Sequence, residues 1–211
     1  MLLSRWIVST ILLVLACSSG SAPTRPGTHA APVVVALGDS LTAGPGLRES
    51  EAYPALLQER IRTAGLPHVV VNAGVSGDTT ADALGRLDRA LVPNTEVLIV
   101  ALGANDGLRG VPVSEVERSL STIIEIARER NISVLLAGME TPPDRGLEYT
   151  LQFHQVYPRL ASRYNVPLMP FLLSGVIGRR ELNLSDGFHP NAAGMRVIAE
   201  NLWTHLAPLL R

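Results

Sequence analysis

Short runs of aliphatic and β-branched residues alternate along the chain with longer stretches in which apolar residues recur every three or four positions. The short runs are almost continuously apolar, which is typical of strands buried on both faces of a parallel sheet. They predict five strands, at residues 33–37, 68–71, 97–102, 133–137 and 166–169. Because helical periodicity follows each run, the pattern predicts a parallel sheet covered by helices on both faces.

The longer stretches predict five helices, at residues 53–64, 80–90, 114–130, 147–164 and 191–210. The third is the most regular, because Val116, Leu120 and Ile123 recur on one face. Ser114 and Glu117 stand three residues apart at its start, a spacing typical of a capping box. Right-handed crossovers would connect the strands, and ligand sites in such sheets lie at the carboxyl ends of the strands.

The N-terminal segment differs from the rest of the chain. Arg5 precedes an apolar run at residues 6–16, and a stretch rich in Ser, Pro, Gly and Thr follows. The run is shorter than the roughly 18 apolar residues of a transmembrane helix, and its flanks are typical of a secretory signal. We therefore expect residues 1–16 to be a signal peptide, residues 17–32 a flexible tether and residues 33–211 one folded domain.

Cys17 directly follows the sequence Val-Leu-Ala, which resembles a bacterial lipobox. In that case the Cys would be lipidated and would anchor the mature protein to a membrane. The alternative is ordinary secretion with cleavage after Ala22, because residues 20–22 are all small. Both alternatives predict an exported protein, periplasmic or lipid-anchored at the outer membrane of a bacterium.

The composition excludes several classes of function. The chain has 18 basic and 19 acidic residues, and a net charge of −1 gives no electrostatic basis for binding nucleic acid. Its single Cys permits neither a disulfide framework nor a cysteine-rich zinc site. No two of its five His stand at the spacing of metal ligands, so we expect no metal or other cofactor.

Polar residues follow several of the predicted strands. Ser40 comes after the first strand, Gly74 after the second and Asn105 after the third, whereas Asp186 and His189 stand three apart before the last predicted helix. Taken singly, each has an ordinary explanation as a turn former or a local ion pair. Together, a hydroxyl, two candidate oxyanion donors and an Asp–His pair are the groups required for serine acyl transfer. A Gly-x-Ser-x-Gly elbow is absent, which disfavours an α/β-hydrolase.

These residues lie in four blocks that resemble, in order, the blocks of the GDSL or SGNH hydrolases. The blocks are Gly38-Asp-Ser-Leu41, Gly74, Gly103-Ala-Asn105-Asp106 and Asp186-Gly-Phe-His189. Residues 103–110, 157–161 and 166–170 are similar to the periplasmic thioesterase I, arylesterase and lysophospholipase branch. The resemblance covers residues 33–210 and implies a three-layer α/β/α sandwich with a five-stranded parallel sheet, a flavodoxin-like SGNH-hydrolase fold.

The resemblance also implies a role for each site residue. Ser40 would be the nucleophile, His189 its general base and Asp186 the carboxylate that orients His189. The backbone N–H groups of Ser40 and Gly74 and the side-chain amide of Asn105 would bind the oxyanion. The implied substrates are carboxylic esters, acyl thioesters or lysophospholipids, hydrolysed through an acyl-enzyme intermediate.

Two other functions remain open from the sequence. The superfamily includes acetylesterases that act on cell-wall sugars, so a carbohydrate acetylesterase is one alternative. The other is a non-catalytic cell-surface binding module built on a hydrolase fold. Acyl-chain preference separates the first alternative from a general esterase, and the presence of a reactive serine excludes the second.

Overall fold

The predicted parallel sheet is present in the computed structural model, which describes residues 30–210. Its strands are β1 (Val33–Gly38), β2 (Val69–Gly74), β3 (Thr95–Ala101), β4 (Ser133–Ala137) and β5 (Leu168–Met169). The order is β2-β1-β3-β4-β5 and every neighbouring pair is parallel, which is the flavodoxin-like order. The predicted fold class is confirmed, whereas the expectations for residues 1–16 and for Cys17 lie outside the described residues.

Helices connect the strands and form two packed groups. They are α1 (Ser40–Ala43), α2 (Tyr53–Thr63), α3 (Thr80–Gly85), α4 (Leu87–Ala90), α5 (Ala104–Arg109), α6 (Val113–Glu129), α7 (Leu147–His154), α8 (Val156–Tyr164) and α9 (Ala192–Leu206). One group contains α2 and α9, which pack against each other, and the other contains α3, α6 and α8, in which α6 packs against both α3 and α8. Within residues 30–210, no helix is both long and apolar enough to span a membrane.

The hydrophobic core lies on both faces of the central strands. All six residues of β1 and the last five of β3 are buried, which explains why their sequences are continuously apolar. Strand β2 lies at the edge of the sheet, and its residues are only partly buried. The expectation of strands buried on both faces therefore holds for the centre of the sheet and fails at this edge.

The predicted capping box of α6 is wrong. The helix begins at Val113, with Pro112 as its N-cap and no side-chain cap. The Glu117 carboxylate instead binds Arg159 and Arg163 of α8, at 2.7 and 3.1 Å. Because those partners lie more than 40 residues away in the chain, a local spacing rule does not detect them.

Two predicted helices are each divided into two. The predicted helix at residues 147–164 is interrupted at Gln155, between α7 and α8. Pro158 explains the break, because it has no N–H to donate to the carbonyl of His154 and its ring would clash with that carbonyl. The predicted helix at residues 80–90 is interrupted at Arg86, whose backbone is not helical.

Truncating a buried side chain of α6 tests the assignment of the core. Leu120→Ala is expected to lower the free energy of unfolding by about 2–5 kcal/mol, because Leu120 is fully buried and its removal leaves a cavity. Leu147→Ala is the matched control, because Leu147 is 75% exposed and a change below about 0.5 kcal/mol is expected. Urea denaturation followed by circular dichroism measures both, and equal losses would contradict the assigned core.

Candidate active site

Ser40 lies at the carboxyl end of β1, where the strand turns sharply into α1. It is the first residue of the helix and is partly exposed, so its hydroxyl is accessible from the edge of the sheet. The preceding Asp39 is the N-cap, and its Oδ1 accepts a hydrogen bond from the Leu41 N–H at 2.9 Å. At Gly38 a Cβ would lie 1.9 Å from Thr42 Oγ1, so this tight turn requires glycine.

The loop before α9 brings His189 and Asp186 to Ser40. His189 Nε2 lies 2.9 Å from Ser40 Oγ, and His189 Nδ1 lies 2.6 Å from Asp186 Oδ2. The backbone N–H groups of Phe188 and His189 donate to Asp186 Oδ1 at 2.9 and 3.0 Å. The three side chains form one hydrogen-bonded chain although 149 residues separate Ser40 from His189.

The electrostatic environment of Asp186 favours its carboxylate form. The hydrogen bond with His189, supported by the two backbone donors, lowers the pKa of the Asp186 carboxyl to about 2. An ionised carboxylate only accepts hydrogen bonds, so Nδ1 must carry the imidazole proton. Nε2 of the neutral ring is then free to accept the hydroxyl proton of Ser40.

Asn105 lies on α5 rather than in the turn that its Asn-Asp-Gly sequence favours. Helix α5 follows Gly103, whose φ of +116° requires glycine and which packs against the Tyr157 side chain. The Tyr157 hydroxyl donates to the carbonyl of Leu102, the residue after β3, at 2.9 Å and so fixes the end of this strand. The Asn105 amide Nδ2 donates to the Asp78 carbonyl at 2.9 Å and to Asp39 Oδ2 at 3.3 Å.

Gly74, the predicted second oxyanion donor, has an acceptor for its N–H within its own strand. Its N–H already donates to Asn72 Oδ1 at 2.9 Å. A Cβ at Gly74 would lie 2.4 Å from the Ala43 nitrogen, so glycine is needed there for α1 to pack closely against β2. The residue has a packing role that sequence alone does not distinguish from a donor role.

The sequence indicates a Gly-containing loop directly after Gly74 but assigns no oxyanion donor to it, and the structure places this loop, residues 75–79, beside Asn105. Gly77 has a φ of +88°, and among residues 30–210 its N–H has no hydrogen-bond acceptor. Arg109 donates to the Gly77 carbonyl at 2.8 Å, and Arg86 Nε binds Asp78 Oδ2 at 2.6 Å. The signal available was Ser-Gly-Asp, a sequence typical of a turn with positive φ at glycine.

The site is built from protein side chains and backbone groups. In the described part of the chain, no three His, Cys, Asp or Glu side chains come together in a group that could hold a metal ion. A serine, a neutral imidazole, a carboxylate and adjacent N–H donors can together perform nucleophilic acyl transfer. The structure therefore brings Ser40, Asp186, His189 and Asn105 to the carboxyl edge of the sheet, where Gly74 pairs with Gly38.

The chain is similar in sequence and fold to several known proteins. The chain is 40% identical to the esterase TesA of Pseudomonas aeruginosa, with 86% of this chain and 90% of that protein covered. It is 34% identical to thioesterase 1/protease 1/lysophospholipase L1 of Escherichia coli K12, with 98% and 94% covered. A crystal structure of TesA superposes with a TM-score of 0.80 at 38% identity and covers 84% of this chain and 99% of that one.

The family assignment rests on a match to most of the folded chain. Residues 36–197 match the model of the GDSL-like lipase/acylhydrolase family. The match includes the turn that presents Ser40, the helix that carries Asn105 and the loop that holds Asp186 and His189. With this match and the two relatives above, the chain belongs to the GDSL-like lipase/acylhydrolase family.

Proposed function

We propose that the protein is a serine esterase that hydrolyses carboxylic esters and acyl thioesters through an acyl-enzyme formed on Ser40. The main support is the hydrogen-bonded chain from Ser40 through His189 to Asp186, with distances of 2.9 and 2.6 Å. A serine hydroxyl is a weak nucleophile until an adjacent base removes its proton. Here the base is in contact with the hydroxyl, and a carboxylate orients the base.

The reaction proceeds in two similar steps. His189 Nε2 takes the Ser40 proton while Oγ attacks the carbonyl carbon, and Asp186 stabilises the resulting imidazolium. The imidazolium then gives its proton to the departing alcohol or thiol, which leaves an ester on Ser40. Water, deprotonated by His189, attacks that ester and releases the acid with Ser40 restored.

The tetrahedral oxygen requires hydrogen-bond donors at the same edge of the sheet. The Ser40 N–H begins α1 and, among the described residues, has no acceptor. The Asn105 amide binds Asp39, the residue before Ser40, and the Asp78 carbonyl. In place of Gly74 we assign the third donor to the Gly77 N–H, because Gly77 is next to Asp78 and its N–H is unoccupied in residues 30–210.

Exposed apolar residues that are close in sequence to the site favour an ester with a hydrocarbon acyl chain over an acetylated sugar. Val75, Leu108 and Phe188 are exposed by 44%, 47% and 61%, and each lies close in sequence to a site residue. Apolar side chains of this size fit the hydrocarbon part of an ester better than a carbohydrate. The names of the relatives, esterase and thioesterase 1/lysophospholipase L1, extend the proposed substrates to acyl thioesters and lysophospholipids.

A substrate panel with a serine variant tests the proposed function. Ser40→Ala should abolish hydrolysis of p-nitrophenyl acetate and octanoate, an acyl-CoA thioester and a lysophospholipid, because the nucleophile is removed. Ser121→Ala is the matched control, since Ser121 lies on α6 and binds Tyr164, and it should retain activity. Full activity in Ser40→Ala would refute the proposal. If the wild type hydrolyses only p-nitrophenyl acetate, a carbohydrate acetylesterase is favoured. If the wild type hydrolyses none of the substrates, a binding module is favoured.

Removing the Asn105 amide tests the oxyanion assignment. Asn105→Ala should lower kcat by about 10²–10³-fold, which is the usual loss for one oxyanion donor, and should change KM little. Steady-state kinetics on p-nitrophenyl octanoate give both constants, and circular dichroism checks the fold. An unchanged kcat would assign oxyanion binding to other groups.

Export and lipid anchoring through Cys17 complete the proposal, on the support of the sequence at residues 1–22. When the full chain is expressed in a bacterium supplied with radiolabelled palmitate, label should enter the wild type and be lost in Cys17→Ser. A soluble periplasmic product without label would favour cleavage after Ala22. Label retained in Cys17→Ser would contradict lipidation at this residue.

A further inference from the structure

Asp39 contacts both the nucleophile turn and the proposed oxyanion amide. The side chain is fully buried at the end of β1. Its Oδ1 accepts the Leu41 N–H at 2.9 Å, and its Oδ2 accepts Asn105 Nδ2 at 3.3 Å. One carboxylate thus connects the helix that presents Ser40 with the side chain that would bind the oxyanion.

Both amide hydrogens of Asn105 have acceptors when no substrate is bound. A carboxamide nitrogen carries two hydrogens, and these point to Asp39 Oδ2 and to the Asp78 carbonyl. An oxyanion that binds Asn105 must therefore replace one of these two acceptors. The reaction depends on which acceptor remains.

The Asp39 carboxylate is the acceptor better suited to remain. Its bond to Asn105 is the longer of the two, at 3.3 Å, but the side chain is buried and fixed by the Leu41 N–H, and an ionised carboxylate is intrinsically a stronger acceptor than a neutral carbonyl. The Asp78 carbonyl belongs to the loop at residues 75–79, in which residues 75–78 are all less buried than Asp39. Replacing a neutral carbonyl with an oxyanion also strengthens the hydrogen bond that Asn105 donates.

We propose that Asp39 is a positioning residue that holds one hydrogen of the Asn105 amide and thereby directs the other hydrogen, released from the Asp78 carbonyl, toward the oxyanion. This inference rests on the proposed function and adds a residue to its machinery. Asp39 touches neither the substrate nor the reacting atoms, and it acts only through Asn105.

The environment of Asp39 favours a functional role over a purely structural one. Among residues 30–210, no cation forms a salt bridge with its carboxylate, although the side chain is fully buried. Burial is the main cause that raises the pKa of the Asp39 carboxyl to about 6; the neighbouring Asp106 acts in the same direction, and the Leu41 N–H and His189 oppose it. The carboxylate is still ionised at neutral pH, and a buried ion without a counterion costs stability. A neutral side chain could cap α1 equally well.

A double-mutant cycle tests the proposal. Asp39→Asn keeps an oxygen for the Leu41 N–H but turns an NH₂ group toward Asn105, which cannot accept its hydrogen bond. It should lower kcat by about 10- to 100-fold, the scale expected when a catalytic group is misplaced by about 1 Å, with little change in KM. When Asn105 is already Ala, Asp39→Asn should lower kcat no further, so the kcat of the double variant should equal that of Asn105→Ala.

Two further variants keep the test decisive. Asp39→Ser retains an N-cap oxygen but is too short to reach Asn105, so it should reproduce the kinetic defect if Asp39→Asn does not fold. Asp82→Asn is the matched control, because Asp82 also binds a helix N-terminus, through the Thr79 N–H at 3.0 Å, and does not contact Asn105. If Asp82→Asn lowers kcat, its fold loss should be the same in the wild type and in Asn105→Ala.

The outcomes separate this inference from the proposed function. Suppose that Asn105→Ala lowers kcat and that the fold loss of the double variant is the product of the two single fold losses. Asp39 then acts through the Ser40 turn, so this inference is overturned while the proposed function stands. An unchanged kcat in Asp39→Asn overturns it in the same way. If Asn105→Ala leaves kcat unchanged, both the oxyanion assignment and the role of Asp39 fail.

Discussion

The buried carboxylate of Asp39 ties together the groups on which the site depends. It ends the fully buried strand β1, caps the helix that begins at Ser40 and binds the amide of Asn105. Burial of β1 on both faces makes this position rigid, because a shift of the strand would disturb the packed core on either side. Ser40 and Asn105, which lie on different elements, are therefore held at a fixed separation.

Close backbone packing around this point depends on small residues. Gly38 allows the turn to fold against Thr42, and Gly74 allows α1 to lie directly on β2. Gly103 gives β3 the space to end against the Tyr157 hydroxyl. In each case a Cβ would meet another atom at less than 2.5 Å, so these glycines set how near the site elements can approach.

The sequence predicts the sheet well because a strand buried on both faces must be apolar at every position. It also places Ser40 and Asn105 at one edge, since the carboxyl ends of parallel strands meet there, whereas Asp186 and His189 are identified as an Asp–His pair and by the family resemblance. What it misses depends on contacts between distant residues. Glu117 binds Arg159 and Arg163 instead of capping its own helix, and α1 packs on Gly74 and so gives that glycine a structural role.

The proposed mechanism depends on a covalent intermediate on Ser40. Mass spectrometry of the protein after reaction with a fluorophosphonate, followed by peptide mapping, measures it directly. We expect one adduct per chain on the peptide that contains Ser40, and much slower labelling in His189→Ala because the base is missing. An adduct on another residue, or unlabelled protein that still hydrolyses esters, would contradict the account.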